Sequence, residues 1–188
     1  IASFDQGIVQ VAQGLLGAEA GIAFYSYRFR EAVPLVDRAV NMFRETSRDI
    51  TWEVGSMQGW WLLPALFYLG EIDELCRRAP LCLREADEIG ALYTATSLRT
   101  SMMARVHLVM DRPVESRREA AEALRAWSQQ HGFHTMHYME MLTRGSSYLY
   151  EGDGVQANIE VEETWPMLEK SLLLRSEEPR AKAVFLRG

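Results

Sequence analysis

The chain lacks several features that mark particular protein classes. Of its 188 residues only Cys76 and Cys82 are cysteines, and their six-residue spacing fits neither a redox pair nor a zinc knuckle, so reduced thiols are expected. The longest apolar run, Trp60 to Leu69, is interrupted by Pro64 and falls short of the roughly 20 residues that span a membrane. No basic segment followed by an apolar one opens the chain. The sequence therefore predicts a cytoplasmic protein without a membrane partner.

Basic excess and catalytic signatures are also missing. Lys and Arg number 20 against 26 Asp and Glu, a net charge of −6, whereas binding to nucleic-acid phosphates needs clustered positive charge. Neither a phosphate-cradling glycine loop nor a nucleophile elbow nor a kinase catalytic motif occurs. Neighbouring carboxylates such as Glu162 and Glu163 point apart on a helix and cannot act as an acid/base pair. We expect no catalytic residue, no cofactor and no nucleic-acid partner.

What the chain does contain is a repeat of about 41 residues. Three kinds of position recur. An apolar stretch closes at Tyr27, Tyr68, Val109 and Tyr150, and a turn forms or starts at Phe29, Gly70, Asp111 and Gly152. The next stretch opens at Glu31, Glu74, Glu115 and Gln156. The first step between the opening positions is 43 residues and the next two are 41. A period of this size is typical of stacked helix pairs.

Apolar spacing and turn residues predict nine helices and no sustained strand. Their expected ranges are 8–27, 31–46, 49–69, 72–89, 91–110, 113–130, 134–151, 155–175 and 179–186. The predicted fold is all-α, a tetratricopeptide-like right-handed superhelix of antiparallel helix pairs. Residues 1–188 would form one repeat domain of four pairs plus the start of a fifth. Because the first residue is not Met, we expect a fragment of a larger protein.

Two sets of positions 41 residues apart are candidates for binding. Gln58, Arg99 and Glu140, here called the polar row, lie on the first helix of each pair, which lines the concave face of such stacks. They are expected either to contact a partner or to form a solvated, ion-paired ridge. Trp52, Tyr93 and His134 are equivalent in the same way. A partly apolar pocket lined by them would favour a small ligand over a protein partner.

Another equivalent set, Leu63, Ala104 and Gly145, is small or apolar and is expected at the seam between repeats. A glycine in mid-helix costs about 1 kcal/mol relative to alanine, so Gly145 indicates a close helix contact.

One histidine cluster could suggest a metal site. His131, His134 and His137 stand three residues apart and precede Glu140. Catalytic zinc helices place the histidine pair at i and i+4, and His131 falls in a turn next to Gly132. We therefore interpret the cluster as a polar turn between helices and expect no metal.

A family resemblance rests on several stretches taken together. They include Thr51 to Glu53, Tyr68 to Arg84, Tyr93 to Arg99, Ala126 to Tyr138, Leu149 to Gly154, and Trp165 with the following residues to Arg175. This combination resembles the C-terminal repeat region of large bacterial signalling proteins. In those proteins a eukaryotic-type serine/threonine kinase domain is followed by a P-loop ATPase segment and tetratricopeptide-like repeats.

The resemblance implies a non-catalytic region that recruits or senses a protein or peptide partner; the kinase or ATPase part of the same polypeptide is one candidate. No kinase residue carries over, because no kinase motif is present. Similar repeats also follow ATPase domains in bacterial transcription regulators and cyclases, where the region would sense a small ligand. The sequence does not decide between these two functions.

Overall fold

The computed structural model describes residues 2–46, 51–127 and 132–188, and within these ranges the only regular structure is helical. The prediction of an all-α fold is confirmed. The chain divides into two compact units, Ile1–Thr94 and Ala95–Gly188. The expectation of one continuous repeat domain stays a prediction.

The described part of the first unit contains five α-helices. The helices are α1 (Ala2–Tyr25), α2 (Phe29–Thr46), α3 (Thr51–Met57), α4 (Leu63–Leu69) and α5 (Ile72–Glu88). A π-helical segment, Gln58–Leu62, joins α3 to α4, so these three pieces form one interrupted helix. A π-helical segment accommodates an extra residue within a helix. The sequence predicted one helix over 49–69 with a kink at Pro64, and the π-helical segment ends two residues before that proline.

The helix that crosses into the second unit is also interrupted. It consists of α6 (Leu92–Arg99) and α7 (Met102–Val109), separated by Thr100 and Ser101. The remaining helices are α8 (Pro113–Ala126), α9 (Thr135–Tyr150), α10 (Gly154–Lys170) and α11 (Glu177–Arg187). If each interrupted helix is counted once, the described residues form nine helices. The predicted end of the eighth helix at 175 is wrong, because α10 ends at Lys170 and a 3-10 turn follows.

Left-handed turn residues mark the repeat boundaries. Gly70, Asp111 and Gly152 have φ values of 75°, 57° and 81° and stand 41 residues apart. The assignment of Phe29 to this set is wrong: Phe29 begins α2, and Tyr27, with φ of 59°, is the left-handed residue. The step from Tyr27 to Gly70 is 43 residues, the same longer first step that separates Glu31 from Glu74.

Residues one repeat apart contact each other within each unit. Arg78 pairs with Asp37 at 2.6 Å, and the Tyr138 hydroxyl donates to the Pro179 carbonyl at 3.0 Å. Both pairs are separated by 41 residues. These tertiary contacts therefore join residues whose separation along the chain equals the sequence period.

The predicted seam residues are buried. Leu63 and Ala104 are 0% and 3% exposed, and Gly145 lies against Leu186, again 41 residues further along. The core of the second unit next to it contains Tyr138, Met141, Leu168 and Ala183. In the part of the chain that the structure describes, no helix combines the length and apolar character required to cross a bilayer.

Candidate partner-binding cleft

A small cleft in the first unit lies next to the first member of the polar row. Its volume is about 140 Å³. Helices α2, α3 and α5, the π-helical segment and the start of α6 supply its walls. The lining residues are Arg44, Val54, Gly55, Gln58, Cys82, Glu85, Ala86, Ile89, Ala91 and Thr94.

An ion pair forms part of the cleft wall. Nη2 of Arg44 lies 2.7 Å and 2.6 Å from the two carboxylate oxygens of Glu85. The two residues are 41 positions apart, and the pair joins α2 to α5. Because the charges neutralise each other, the cleft offers an apolar wall with the polar groups of Gln58 and Thr94.

Gly55 permits close packing at the base of the cleft. A Cβ atom at this position would come within 2.7 Å of the Thr94 hydroxyl oxygen. Any larger residue at 55 would therefore push α3 away from the start of α6. Cys82 also lines the cleft and is buried. Burial raises the pKa of its thiol to about 11, so the sulfur stays protonated and is not a nucleophile.

The first unit also brings together two of the three residues that the sequence placed at equivalent positions as candidate pocket residues. The rings of Trp52 and Tyr93, which are 41 residues apart, contact each other with centroids 4.8 Å apart. Trp52 is 57% exposed and Tyr93 is half-buried. Burial raises the pKa of the Tyr93 hydroxyl. The pair thus presents a large aromatic surface to solvent.

The third member of that set, His134, lies in the second unit and is exposed. It precedes α9, where the Nδ1 atom of His137 accepts a hydrogen bond from the His134 backbone N–H at 3.2 Å. The His134 side chain completes a reciprocal cap at the start of this helix. These two histidines therefore satisfy backbone donors that would otherwise be unpaired.

No group of three or more metal-ligating side chains is assembled among the described residues. His131 lies outside the described residues. Burial, with a contribution from the neighbouring His134, lowers the pKa of His137, which favours its neutral form in the capping role.

The other members of the polar row lie in the second unit. Arg99 is half-buried, and its Nε lies 3.4 Å from Oε1 of Glu119. Glu140 is only 6% exposed and lies 2.8 Å from Nε of Arg144. Glu140 is thus part of a buried ionic cluster, whereas Gln58 and Arg99 keep part of their surface accessible.

The buried ionic cluster contains two carboxylates and one guanidinium. Arg144 pairs with both Glu140 and Glu160, whose side chains are 8% and 13% exposed. Burial raises the pKa of Glu140, and the nearby Glu160 adds to the effect, while Arg144 opposes it. Glu140 was assigned to the polar row from its polarity alone. It is instead a buried acid in a cluster where one positive charge faces two negative charges.

The Glu140 pKa predicts a pH-dependent contribution to stability. The folded protein holds this proton more tightly than the unfolded chain, where glutamate titrates at about 4.3. The contribution is therefore favourable at low pH and is lost as pH rises through the folded-state value. We expect the melting temperature of the wild type, relative to Glu140→Gln, to fall between pH 4 and pH 7. If the melting temperatures of the two proteins change with pH by the same amount, a raised pKa at Glu140 is excluded.

Comparison with known proteins yields no match. No protein-family model matches the chain, and no curated protein or solved structure is similar enough to be matched.

Sequence reasoning missed most of the cleft. Its walls come from five segments, and residues such as Gly55 and Ala86 carry no distinctive chemistry. One signal was present: Arg44 and Glu85, like Asp37 and Arg78, are opposite charges separated by one repeat. Opposite charges at the repeat spacing predict ion pairs between successive repeats.

Proposed function

We propose that the chain is a non-catalytic helical-repeat module that binds a protein or peptide through the cleft beside Gln58. The observation that carries this proposal is the size of the cleft, about 140 Å³. A cavity of about 150 Å³ holds a molecule of the size of benzene, whereas pockets for free small ligands measure about 300–1,000 Å³. The cleft suits a single side chain of a partner and is too small for a typical effector molecule.

The surroundings of the cleft support a peptide partner. Ile89, in the cleft wall, is 55% exposed, and the Trp52 ring on α3 is exposed to a similar extent. Aromatic residues dominate the energetics of protein interfaces because they bury a large area with little loss of conformational freedom. We infer that a partner places one apolar side chain in the cleft and packs beside the Trp52–Tyr93 pair.

The resemblance extends the proposal to the parent protein. Contacts between residues 41 apart support a tetratricopeptide-like right-handed superhelix as the arrangement of the helix pairs. The module would serve a cytoplasmic bacterial serine/threonine kinase that also carries a P-loop ATPase segment, and would bring a partner to it. The alternative parent is an ATPase-linked transcription regulator or cyclase with a small-ligand sensor. Kinase catalytic motifs in the same reading frame would decide between them.

A matched pair of substitutions tests the cleft. Ile89 and Leu92 are similarly exposed apolar residues, but only Ile89 lines the cleft. We expect Ile89→Asn to weaken binding of peptides selected from a displayed random library by about tenfold or more, corresponding to about 1.4 kcal/mol. Leu92→Asn should leave the affinity unchanged. Both variants should melt close to the wild type, since neither side chain belongs to the core.

The measurement is a titration of each selected peptide against the three proteins. Equal affinities for wild type and Ile89→Asn would remove the cleft from the binding surface. A library that yields no enriched peptide, together with saturable binding of a free metabolite, would favour the sensor function instead.

A further inference from the structure

The exposed aromatic pair of the first unit lies next to the cleft. Trp52 precedes Gly55 by three residues on α3, so the two positions share one face of the helix, and Gly55 lines the cleft. Tyr93, whose ring contacts Trp52, is followed by Thr94, which also lines the cleft. Three residues of a helix rise by about 4.5 Å, so a segment bound in the cleft has the Trp52 ring within reach of its neighbouring side chains.

The second unit shows which chemistry suits such a ring. The guanidinium carbon of Arg187 lies 4.1 Å from the centre of the Trp165 ring, and that of Arg117 lies 4.2 Å from the centre of the Tyr148 ring. A cation is attracted by the negative face of an aromatic ring, and tryptophan attracts it best. Among the described residues no cation lies over Trp52, which is 57% exposed. Its face is therefore open to a cation from a partner.

The charges near the cleft also favour a positive partner. Residues 1–94 include 13 acidic and 8 basic residues, whereas residues 95–188 include 13 and 12, so most of the net negative charge belongs to the unit with the cleft. Arg44 and Glu85 in the cleft wall neutralise each other. Glu88 follows Glu85 by three residues on the same face of α5, is exposed, and forms no ion pair within the described ranges.

The position of Glu88 in its helix strengthens this preference. A helix C-terminus carries partial negative charge and is stabilised by cations. The last turn of α5 nevertheless contains no basic residue. A positive charge supplied by a partner would therefore be favoured at this end of the cleft by both Glu88 and the helix terminus.

We propose that the partner segment carries an arginine, within two positions of its apolar side chain, that stacks on Trp52. The inference rests on the proposed function of the cleft and names the class of partner, a peptide of basic and apolar residues. In an extended segment, side chains two positions apart point the same way and lie about 6.6 Å apart, which is close to the offset of Trp52 from Gly55. Arginine suits the ring better than lysine because its guanidinium is planar and less strongly hydrated.

Peptides selected from a displayed random library on the wild type test the proposal. We expect arginine to be enriched within two positions of an apolar residue in peptides whose binding depends on Ile89. Replacing that arginine with glutamine in the peptide should weaken binding to the wild type by about fivefold or more, but binding to Trp52→Leu by less than about twofold. Glu88→Gln should weaken binding by about twofold to threefold at low salt and have little effect at high salt.

Matched controls keep each change in the first unit but away from the cleft. Tyr25 is 71% exposed and ends α1, so Tyr25→Leu should bind like the wild type. Glu71 is exposed and lies at the opposite end of α5 from Glu88, so Glu71→Gln should also bind like the wild type.

The outcomes separate this inference from the proposed function. Ile89-dependent peptides without arginine overturn the inference alone. So does an arginine whose replacement leaves the affinity for the wild type unchanged, a result that does not depend on the folding of any variant. An arginine that contributes equally to binding of the wild type and of Trp52→Leu places the cation elsewhere and also overturns it. A library without any Ile89-dependent peptide overturns the proposed function and this inference together.

Discussion

Replacing Arg144 with methionine should lower the free energy of unfolding by about 3–5 kcal/mol. Arg144 is the cation that pairs with the buried carboxylate of Glu140 and with the largely buried carboxylate of Glu160. Its Nε lies 2.8 Å from Oε1 of Glu140 and its Nη1 pairs with Oε2 of Glu160, so one positive charge faces both acids. Methionine keeps much of the apolar volume but leaves two negative charges facing each other without compensation. Urea denaturation at pH 7 measures the loss.

The same substitution should be rescued by removing the acids. In Arg144→Met with Glu140→Gln and Glu160→Gln no buried charge remains, and replacing a buried ionic group by neutral residues of similar size is often neutral for stability. We expect the triple variant to recover most of the loss, and Arg144→Met alone to be more stable at pH 4 than at pH 7. A triple variant as unstable as Arg144→Met would show that the arginine acts through packing rather than charge.

Gly145→Leu should be the second most destabilising substitution. A Cβ at Gly145 would lie 2.7 Å from Cδ2 and 3.1 Å from Cδ1 and Cγ of Leu186, which is itself buried. A leucine would have to displace this side chain, and overpacking of this kind costs about 1–3 kcal/mol. For a chain of this length each kcal/mol lowers the melting temperature by roughly 2–4 °C. Differential scanning calorimetry measures the change.

A double-mutant cycle separates the contact from a general intolerance of the helix. Gly145→Leu with Leu186→Ala moves the volume from one helix to the other and should be more stable than the sum of the two single effects predicts. Additive losses would mean that Gly145 and Leu186 do not pack against each other.

The period of the sequence predicted those parts of the fold that depend on position within a repeat. Gly70, Asp111 and Gly152 occupy equivalent left-handed turns, as the shared spacing indicates. The contact between Trp52 and Tyr93 was not predicted; the sequence showed only that their positions are equivalent. The helix ranges follow from apolar spacing, which each segment carries by itself. The longer first step misled the assignment of Phe29, because a fixed period of 41 was applied across it.

The remaining features depend on neighbours that a period cannot identify. Polarity placed Glu140 with Gln58 and Arg99, but its surroundings are set by Arg144 on its own helix and by Glu160 on α10. The π-helical segment, Gln58–Leu62, has no recognisable signal among its glutamine, glycine, tryptophan and leucine residues. The cleft exists only after five segments have packed, so its size could not be anticipated.

Contacts between residues about 41 positions apart also set the pace at which a growing chain can begin to fold. Ribosomes add about 5–20 residues per second, so the partner of Asp37 or Tyr138 is synthesised within roughly 2–8 seconds. A helix face that packs against the following repeat is exposed only for the time needed to make the next helix pair. Translation in the N- to C-terminal direction and the order of packing therefore proceed together, one repeat at a time.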